Sequence, residues 1–179
     1  SLDVYRAKKS EQQLTTRASF DALTELYNRE TIESQIDNEI TLSEARKSEM
    51  AVLFIDVDDF KHYNDQYSHA TGDQVLKFVA RTIKGTVNEF GFAGRYGGDE
   101  FIACIRNAEI NDPTRAAQDI ISKLEEGFEC DGVHLTVSVS IGISMIKDDY
   151  NTRVEYIIGK ADDAMYSVKK NGKSNYAFI

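Results

Sequence analysis

The sequence predicts an α+β domain built on a mainly antiparallel sheet, and three features carry that prediction. MAVLFIDV, residues 50–57, is apolar almost throughout, as a strand buried on both faces must be. Two pairs of strand-like segments meet at Gly97-Gly98 and at Asp131-Gly132, dipeptides suited to hairpins. Segments with helical apolar spacing are interspersed without strict β-α-β alternation, which favours α+β over a doubly wound parallel sheet.

Each element follows from local spacing. Residues 1–17 are polar and charged with sparse apolar positions (Leu2, Val4, Tyr5, Leu14), and read as a linker or stalk helix with little core of its own. A domain over residues 18–179 follows. FDALTELYNRE is a short connection with an Asn-Arg corner, after which Ile32, Ile36 and Ile40 recur every four residues and predict a helix from about Glu30 to Arg46. The strand 50–56 ends in acid. DDFKHYNDQY then opens with two cap candidates, Asp58 and Asp59, and predicts a helix start. Gly72 and Asp73 precede another helix, with Val75, Leu76, Val79 and Ile83 on one face. FGFAGRY and EFIACI are strands on either side of Gly97-Gly98. Pro113 opens a helix to about Phe128, and FECDGVHLTVSVSIGIS predicts a hairpin whose second strand turns Leu135, Val137, Val139, Ile141 and Ile143 to one face. A last helix spans Arg153 to Lys170, and YAFI closes as a short strand.

The bulk numbers narrow the function. A length of 179 residues suits one domain, or one domain plus an extra helix. A formal net charge of −9 argues against general binding to nucleic acid or anionic membranes, yet leaves room for a phosphate ligand held locally by cations or a metal. No apolar run reaches membrane-spanning length and the start does not read as a signal peptide, so a cytoplasmic setting is expected. A larger parent carrying membrane or sensor domains is compatible with that setting. Cys104 and Cys130 have no spacing that suggests zinc.

The chemistry concentrates at RYGGDEF, residues 95–101. Gly97 and Gly98 suit a type I′ or II′ turn, whose positive φ glycine tolerates, and bare backbone also lets a phosphate chain or purine approach closely. Asp99 and Glu100 follow at once. Asp56 ends the buried strand, on the face it shares with Phe54 and Asp58. If that strand pairs beside the 90–105 hairpin, Asp56 and Asp99 can share one divalent ion, since octahedral Mg²⁺ takes one or two carboxylates plus phosphate oxygens. The helix start near Phe60 would offer N–H groups to phosphate, with Lys61 beside them. Two rival motifs fail. DVDDFKHYNDQY has Lys61 where an EF-hand needs glycine and Tyr67 where it needs glutamate. NGKS, residues 171–174, follows a helix instead of opening one, and Ser167 stands where a Walker A loop needs glycine.

Taken together, RYGGDEF, DALTELYNR, DVDDFKHYNDQYSHATGD, SVSIGIS and ADDAMYSVKKNGKSN resemble the ordered motifs of the GGDEF domain, the diguanylate cyclase family. The resemblance implies a palm-like α+β fold and the condensation of two GTP into cyclic di-GMP, with release of two pyrophosphates and dependence on Mg²⁺ or Mn²⁺. By position, Asp56, Asp99 and the carbonyl of Val57 match the metal ligands. Asp99 also matches the proposed base for the attacking 3′-hydroxyl, Glu100 the second acid and Lys61 the transition-state lysine. Asn64 and Asp73 match the guanine readers, with His69 in the same segment, and Lys169 and Lys173 match the phosphate pair. A ring made from two GTP implies two sites in a two-fold homodimer. An upstream sensor or regulatory domain in the parent protein is also implied.

The sequence departs from the family pattern at Ser68 and Glu25, where glycine is usual, and at Lys173, where arginine is usual. The inhibitory Arg-x-x-Asp would fall at Asn88 to Gly91, which reads NEFG, so no feedback through that site is expected. The alternative to an active cyclase is a catalytically silent GGDEF module that binds GTP or a protein partner. Intact Asp56, Asp99, Glu100, Asn64 and Asp73 favour the enzyme.

Overall fold

The apolar run at residues 50–57 becomes the central strand of the sheet, because a strand without a polar face must be covered on both sides. The computed structural model describes the backbone of residues 1–179 and the side chains of all but residues 15–17. In chain order the elements are α1 (Leu2–Ser19), α2 (Arg29–Arg46), β1 (Met50–Val57), α3 (Phe60–Gln66), α4 (His69–Val87), β2 (Gly91–Arg95), β3 (Glu100–Arg106), α5 (Pro113–Glu126), β4 (Phe128–Cys130), β5 (Val133–Leu135), β6 (Val139–Ile146), α6 (Val154–Lys170) and β7 (Tyr176–Phe178). The helix expected over residues 1–17 lies in α1, which runs on to Ser19, with the side chains of residues 15–17 outside the described residues.

The main sheet has the order β2-β3-β1-β6-β7. β1 is antiparallel to both β3 and β6, and β2 is antiparallel to β3. The sheet is therefore mainly antiparallel, as expected, with one parallel pairing where β7 joins β6. Alternate β1 residues feed two cores. Ala51, Leu53, Ile55 and Val57 pack with Val75, Val79 and Ile83 of α4 and Ala117, Ile120 and Leu124 of α5. Met50, Val52 and Phe54 pack with Ile32, Ile36 and Ile40 of α2 and Ile157, Ile158 and Ala161 of α6. Each fully buried Ile, Leu or Phe contributes about 1.5–3 kcal/mol relative to exposure, which is how the two helical layers hold to the sheet.

Glycine sets the closest of these contacts. A Cβ at Gly142 in β6 would overlap the Ala161 carbonyl oxygen and the Met165 amide of α6, so that helix rests directly on bare strand. At Gly94 in β2, a Cβ would run into the Ile32 side chain of α2.

Four expectations need correction. The long second strand of the 128–144 hairpin is two strands in two sheets: β5 pairs only with β4, and β6 joins the main sheet. Residues 136–138 leave the ladder between them, with Val137 N–H donating to the Leu124 carbonyl of α5. The apolar alternation runs through the break because Leu135, Val137, Val139, Ile141 and Ile143 all face the same core. Helix α4 starts at His69, not after Asp73, because Ser68 caps it by accepting from Thr71 N–H at 3.1 Å. Helix α5 stops at Glu126, where Gly127 takes a φ of 82°. Neither Gly97 nor Gly98 lies at positive φ, so their bend is not the mirror-image turn that glycine pairs usually make.

Candidate active site

The end of β1 and the bend before β3 bring two acids together. Asp56 pairs in register with Glu100, and Val57 N–H donates to the Asp99 carbonyl at 3.1 Å. The Asp99 carboxylate lies near enough to Asp56 for its charge to act on that carboxyl. Burial is the main cause that pushes the Asp56 carboxyl up to about 7, and the neighbouring Asp99 charge adds to it, while Lys169 pulls the other way. Glu100 is raised too, first by burial and then by the charges of Asp162 and Asp99, with Arg29 opposing. Among the described residues no group of three or more His, Cys, Asp or Glu is arranged to cage a metal ion. A donor set of two crowded carboxylates and the Val57 carbonyl is nonetheless all oxygen. It fits Mg²⁺, which takes few protein ligands and leaves the rest of its shell to water and phosphate.

The diglycine bend is held by its neighbours. Tyr96 N–H and Gly97 N–H both donate to the Glu100 carbonyl, at 2.7 and 3.2 Å. The Arg95 guanidinium donates to the Gly97 carbonyl at 3.2 Å and to the Gly98 carbonyl at 2.7 Å, and pairs with Asp21 at 3.3 Å. Asp21 in turn accepts from the amide and hydroxyl of Thr24. A Cβ on Gly97 would overlap the Glu100 carboxylate, whereas one on Gly98 would meet nothing within 4 Å. Protein sterics thus explain the first glycine; the second leaves backbone bare toward open space. On the other side of the bend, Arg29 lies over the Tyr96 ring at 4.1 Å, and Tyr96 donates its hydroxyl to Glu33 at 3.1 Å.

The cations expected to meet phosphate are paired with acids. Lys169 donates to Asp58 Oδ1 at 2.7 Å and to the Val57 carbonyl at 3.3 Å, and stands 3.6 Å from Asp56. Lys173 pairs with Asp59 at 2.8 Å. Neither aspartate acts as the helix cap expected of it. Asp59 occupies the cap position of α3 at a φ of 52° without a side-chain cap bond. Asp58 is only 4% exposed and accepts from Ser138 Oγ at 2.5 Å, Ser140 Oγ at 2.7 Å and Ser174 N–H at 3.1 Å as well as from Lys169. Burial alone would raise it, but these donors outweigh burial and hold it below the usual carboxylate range.

Helices α3 and α4 carry the expected base-reading segment. Asn64 Oδ1 lies where a Cβ on Gly72 would stand, so this side chain and the Gly72-Asp73 backbone come together. Lys61, His69 and Asp73 are exposed, and their side chains make no hydrogen bond or ion pair with another described residue. The Asn88–Gly91 turn borders a separate cleft of about 250 Å³, lined in part by Lys84 and Arg106. A Cβ at Gly91 would overlap the Cys104 carbonyl, so the missing inhibitory aspartate does not fit there without moving β3.

Sequence reasoning missed the Asp58 hub and the Arg95–Asp21 clamp. The alternating serines of SVSIGIS were the available signal for the hub, since Ser140 is a fully buried polar residue of β6 and Ser138, half-buried, stands just before that strand. Nothing in local spacing announces a contact between residues 21 and 95.

The chain as a whole is similar to several known proteins. A family profile described as "Diguanylate cyclase, GGDEF domain" matches residues 18–175. The signaling protein YkoW of Bacillus subtilis is 34% identical over 178 residues, covering 98% of this chain and 22% of that protein. MucR of Pseudomonas aeruginosa, described as a bifunctional diguanylate cyclase/cyclic di-GMP phosphodiesterase, is 34% identical over 171 residues, covering 96% of this chain and 25% of that protein. The chain thus spans about a quarter or less of the length of these relatives. The coiled coil and GGDEF domain of DgcB from Caulobacter crescentus superposes with a TM-score of 0.91 at 24% identity, covering 99% of this chain and 94% of that one, and likens the fold.

Proposed function

Because the chain belongs to the GGDEF, diguanylate cyclase family, we propose that it condenses two GTP molecules into cyclic di-GMP, with each of two copies holding one GTP across a two-fold axis. The observation that carries this reading is the register that sets Asp56, at the end of the central strand, beside Asp99 and Glu100 at a bend of bare backbone. The diguanylate cyclase activity in the description of MucR supports it.

In each half of the reaction the 3′-hydroxyl oxygen of one GTP forms a bond to the α-phosphorus of the other. The bond to the β-phosphate breaks, and pyrophosphate leaves with the electron pair. Asp99 accepts the hydroxyl proton on its carboxylate. Asp56, Asp99 and the Val57 carbonyl would hold Mg²⁺ or Mn²⁺, which when bound neutralises phosphate charge. Lys61, free on the first turn of α3, stabilises the charge that develops on the transferring phosphate, and Glu100 supports the metal and nucleotide side of the site. Gly97 and Gly98 let the phosphates approach the backbone. Asn64 and Asp73 read the guanine edge, with His69 in the same wall; a carboxylate acceptor suits N1–H and N2–H₂ and disfavours adenine. Lys169 and Lys173 engage phosphates from the opposite side. The exposed apolar residues of α1 support the reading of residues 1–17 as a stalk that joins the domain 18–179 to an upstream sensor or regulatory domain on the cytoplasmic side.

A second reading, a silent module that binds GTP without turnover, has one observation in its favour: the Lys169 ammonium sits on the Val57 carbonyl, where a cation is expected. Incubation of the purified protein with GTP and Mg²⁺ over a range of protein concentrations separates the two. Cyclic di-GMP and pyrophosphate in a 1:2 ratio support the cyclase. GTP binding without either product, at concentrations that permit dimers, supports the silent module.

A further inference from the structure

We infer that Asp58 is a positioning residue, which fixes the Lys169 ammonium at the mouth of the acid pair and fastens the loop after α6 to the same point. This inference rests on the reading of the site as a GTP site. Four donors converge on one carboxylate: Lys169 Nζ from α6, Ser138 and Ser140 from the approach to and first turn of β6, and the Ser174 amide from the loop before β7. They arrive from three separate stretches of chain, so Asp58 is the place where those stretches are registered against β1. A charge with 4% exposure is costly unless it is paired and fully hydrogen-bonded, and here both conditions are met.

The consequence for Lys169 is geometric. A lysine has four rotatable bonds and a strongly hydrated head, so a free one samples many positions. Asp58 Oδ1 at 2.7 Å and the Val57 carbonyl at 3.3 Å select one, 3.6 Å from Asp56. The same carboxylate holds Ser174, next to Lys173, whose ammonium is tied to Asp59 at 2.8 Å. Lys173 and Ser174 both adopt left-handed backbone, at φ of 62° and 47°, a conformation that non-glycine residues keep only when held. Asp58 thus organises both cations of the phosphate wall without facing the substrate itself: Lys169 directly, and Lys173 through the loop.

The test is a double-mutant cycle on the full chain. Binding of a GTP analogue with a non-cleavable α,β-methylene link is measured with Mg²⁺ for the native protein, Asp58→Asn, Lys169→Met and the double variant. Each single change is expected to weaken binding about tenfold, the scale of a lost charge-assisted hydrogen bond. The double variant should bind only slightly more weakly than Lys169→Met, by the part of the effect that reaches Lys173 through the loop, and far short of the product of the two single losses. Losses that simply multiply overturn the inference.

A second readout needs no nucleotide. The ¹⁵N signal of the Lys169 ammonium, assigned by its absence in Lys169→Met, should be observable in the native protein and lost in Asp58→Asn. If Asp58→Asn does not fold, Ser138→Ala and Ser140→Ala each remove one prop and keep the carboxylate. They should weaken the ammonium signal and analogue binding together; if both stay native, Asp58 serves only the fold and the inference falls. Native protein that fails to bind the analogue would remove the GTP reading, while the ammonium signal still decides the positioning role.

Discussion

Asp56 ionises at a disadvantage, since it is partly buried and feels the charge of the neighbouring Asp99. Its proton affinity in the fold is higher than in the open chain, up to about 7, so folding favours the protonated form. The sign follows: in metal-free protein its contribution to stability is greatest at acid pH and is lost as pH rises from the ordinary carboxylate range through about 7. Urea midpoints measured without metal between pH 5 and 8 should fall, Asp56→Asn should flatten the slope, and Mg²⁺ should restore stability most at the alkaline end. Asp99→Ala should abolish product formation, more than about a hundredfold, while circular dichroism stays native; full turnover in that variant would remove Asp99 from the mechanism. Glu25 offers a test free of chemistry. It holds a φ of 63° at a position where the family usually has glycine, so Glu25→Gly should raise the unfolding free energy by about 0.5–1 kcal/mol in denaturant titration. The approach of Asp56 to Asp99 was legible in the sequence only on the condition that strand 50–56 pairs beside the 90–105 hairpin, a pairing that β1 and β3 make. The pairing of Lys169 with Asp58 was not, because it depends on how α6 lies across the sheet.

Among the elements, an unbroken apolar period told which face is buried, but not which partner a strand pairs with. The 50–57 run, the Ile32–Ile36–Ile40 stripe and the 153–170 helix each appear where spacing puts them. The break between β5 and β6 left no mark on the apolar pattern, because both strands face one core. The start of α4 was misjudged by five residues, since Gly72 reads as a breaker when in fact it lies inside the first turns, small enough to admit Asn64. At the contact of α6 with β6, Gly142→Ala forces a methyl group into backbone and not into a yielding side chain. It should cost about 1–3 kcal/mol or more and lower the melting temperature by several degrees in calorimetry.

For the whole molecule, the described side chains of α1 belong to neither core, and Leu2, Val4, Tyr5 and Leu14 are exposed. Removal of residues 1–17 should therefore shift the melting temperature of the remainder by less than about 2 °C, the range of surface changes. If two copies must meet for ring closure, the same removal should lower specific activity at dilute protein and be overcome at high concentration; activity per molecule that is independent of concentration would argue against the paired arrangement. Net charge, length and motif order were enough to predict one acidic nucleotide-type domain, whereas the face on which two copies meet has no signature in a single chain. The bare strand beneath α6 has a kinetic corollary. With the Ala161 carbonyl and Met165 amide seated on Gly142, that rod has no slack to slide or lift. Lys169 stands one turn further along, so its ammonium travels only as far as its own flexible arm swings. Exchange of that cation between protein and nucleotide is then a change of side-chain rotamer and not a movement of the helix.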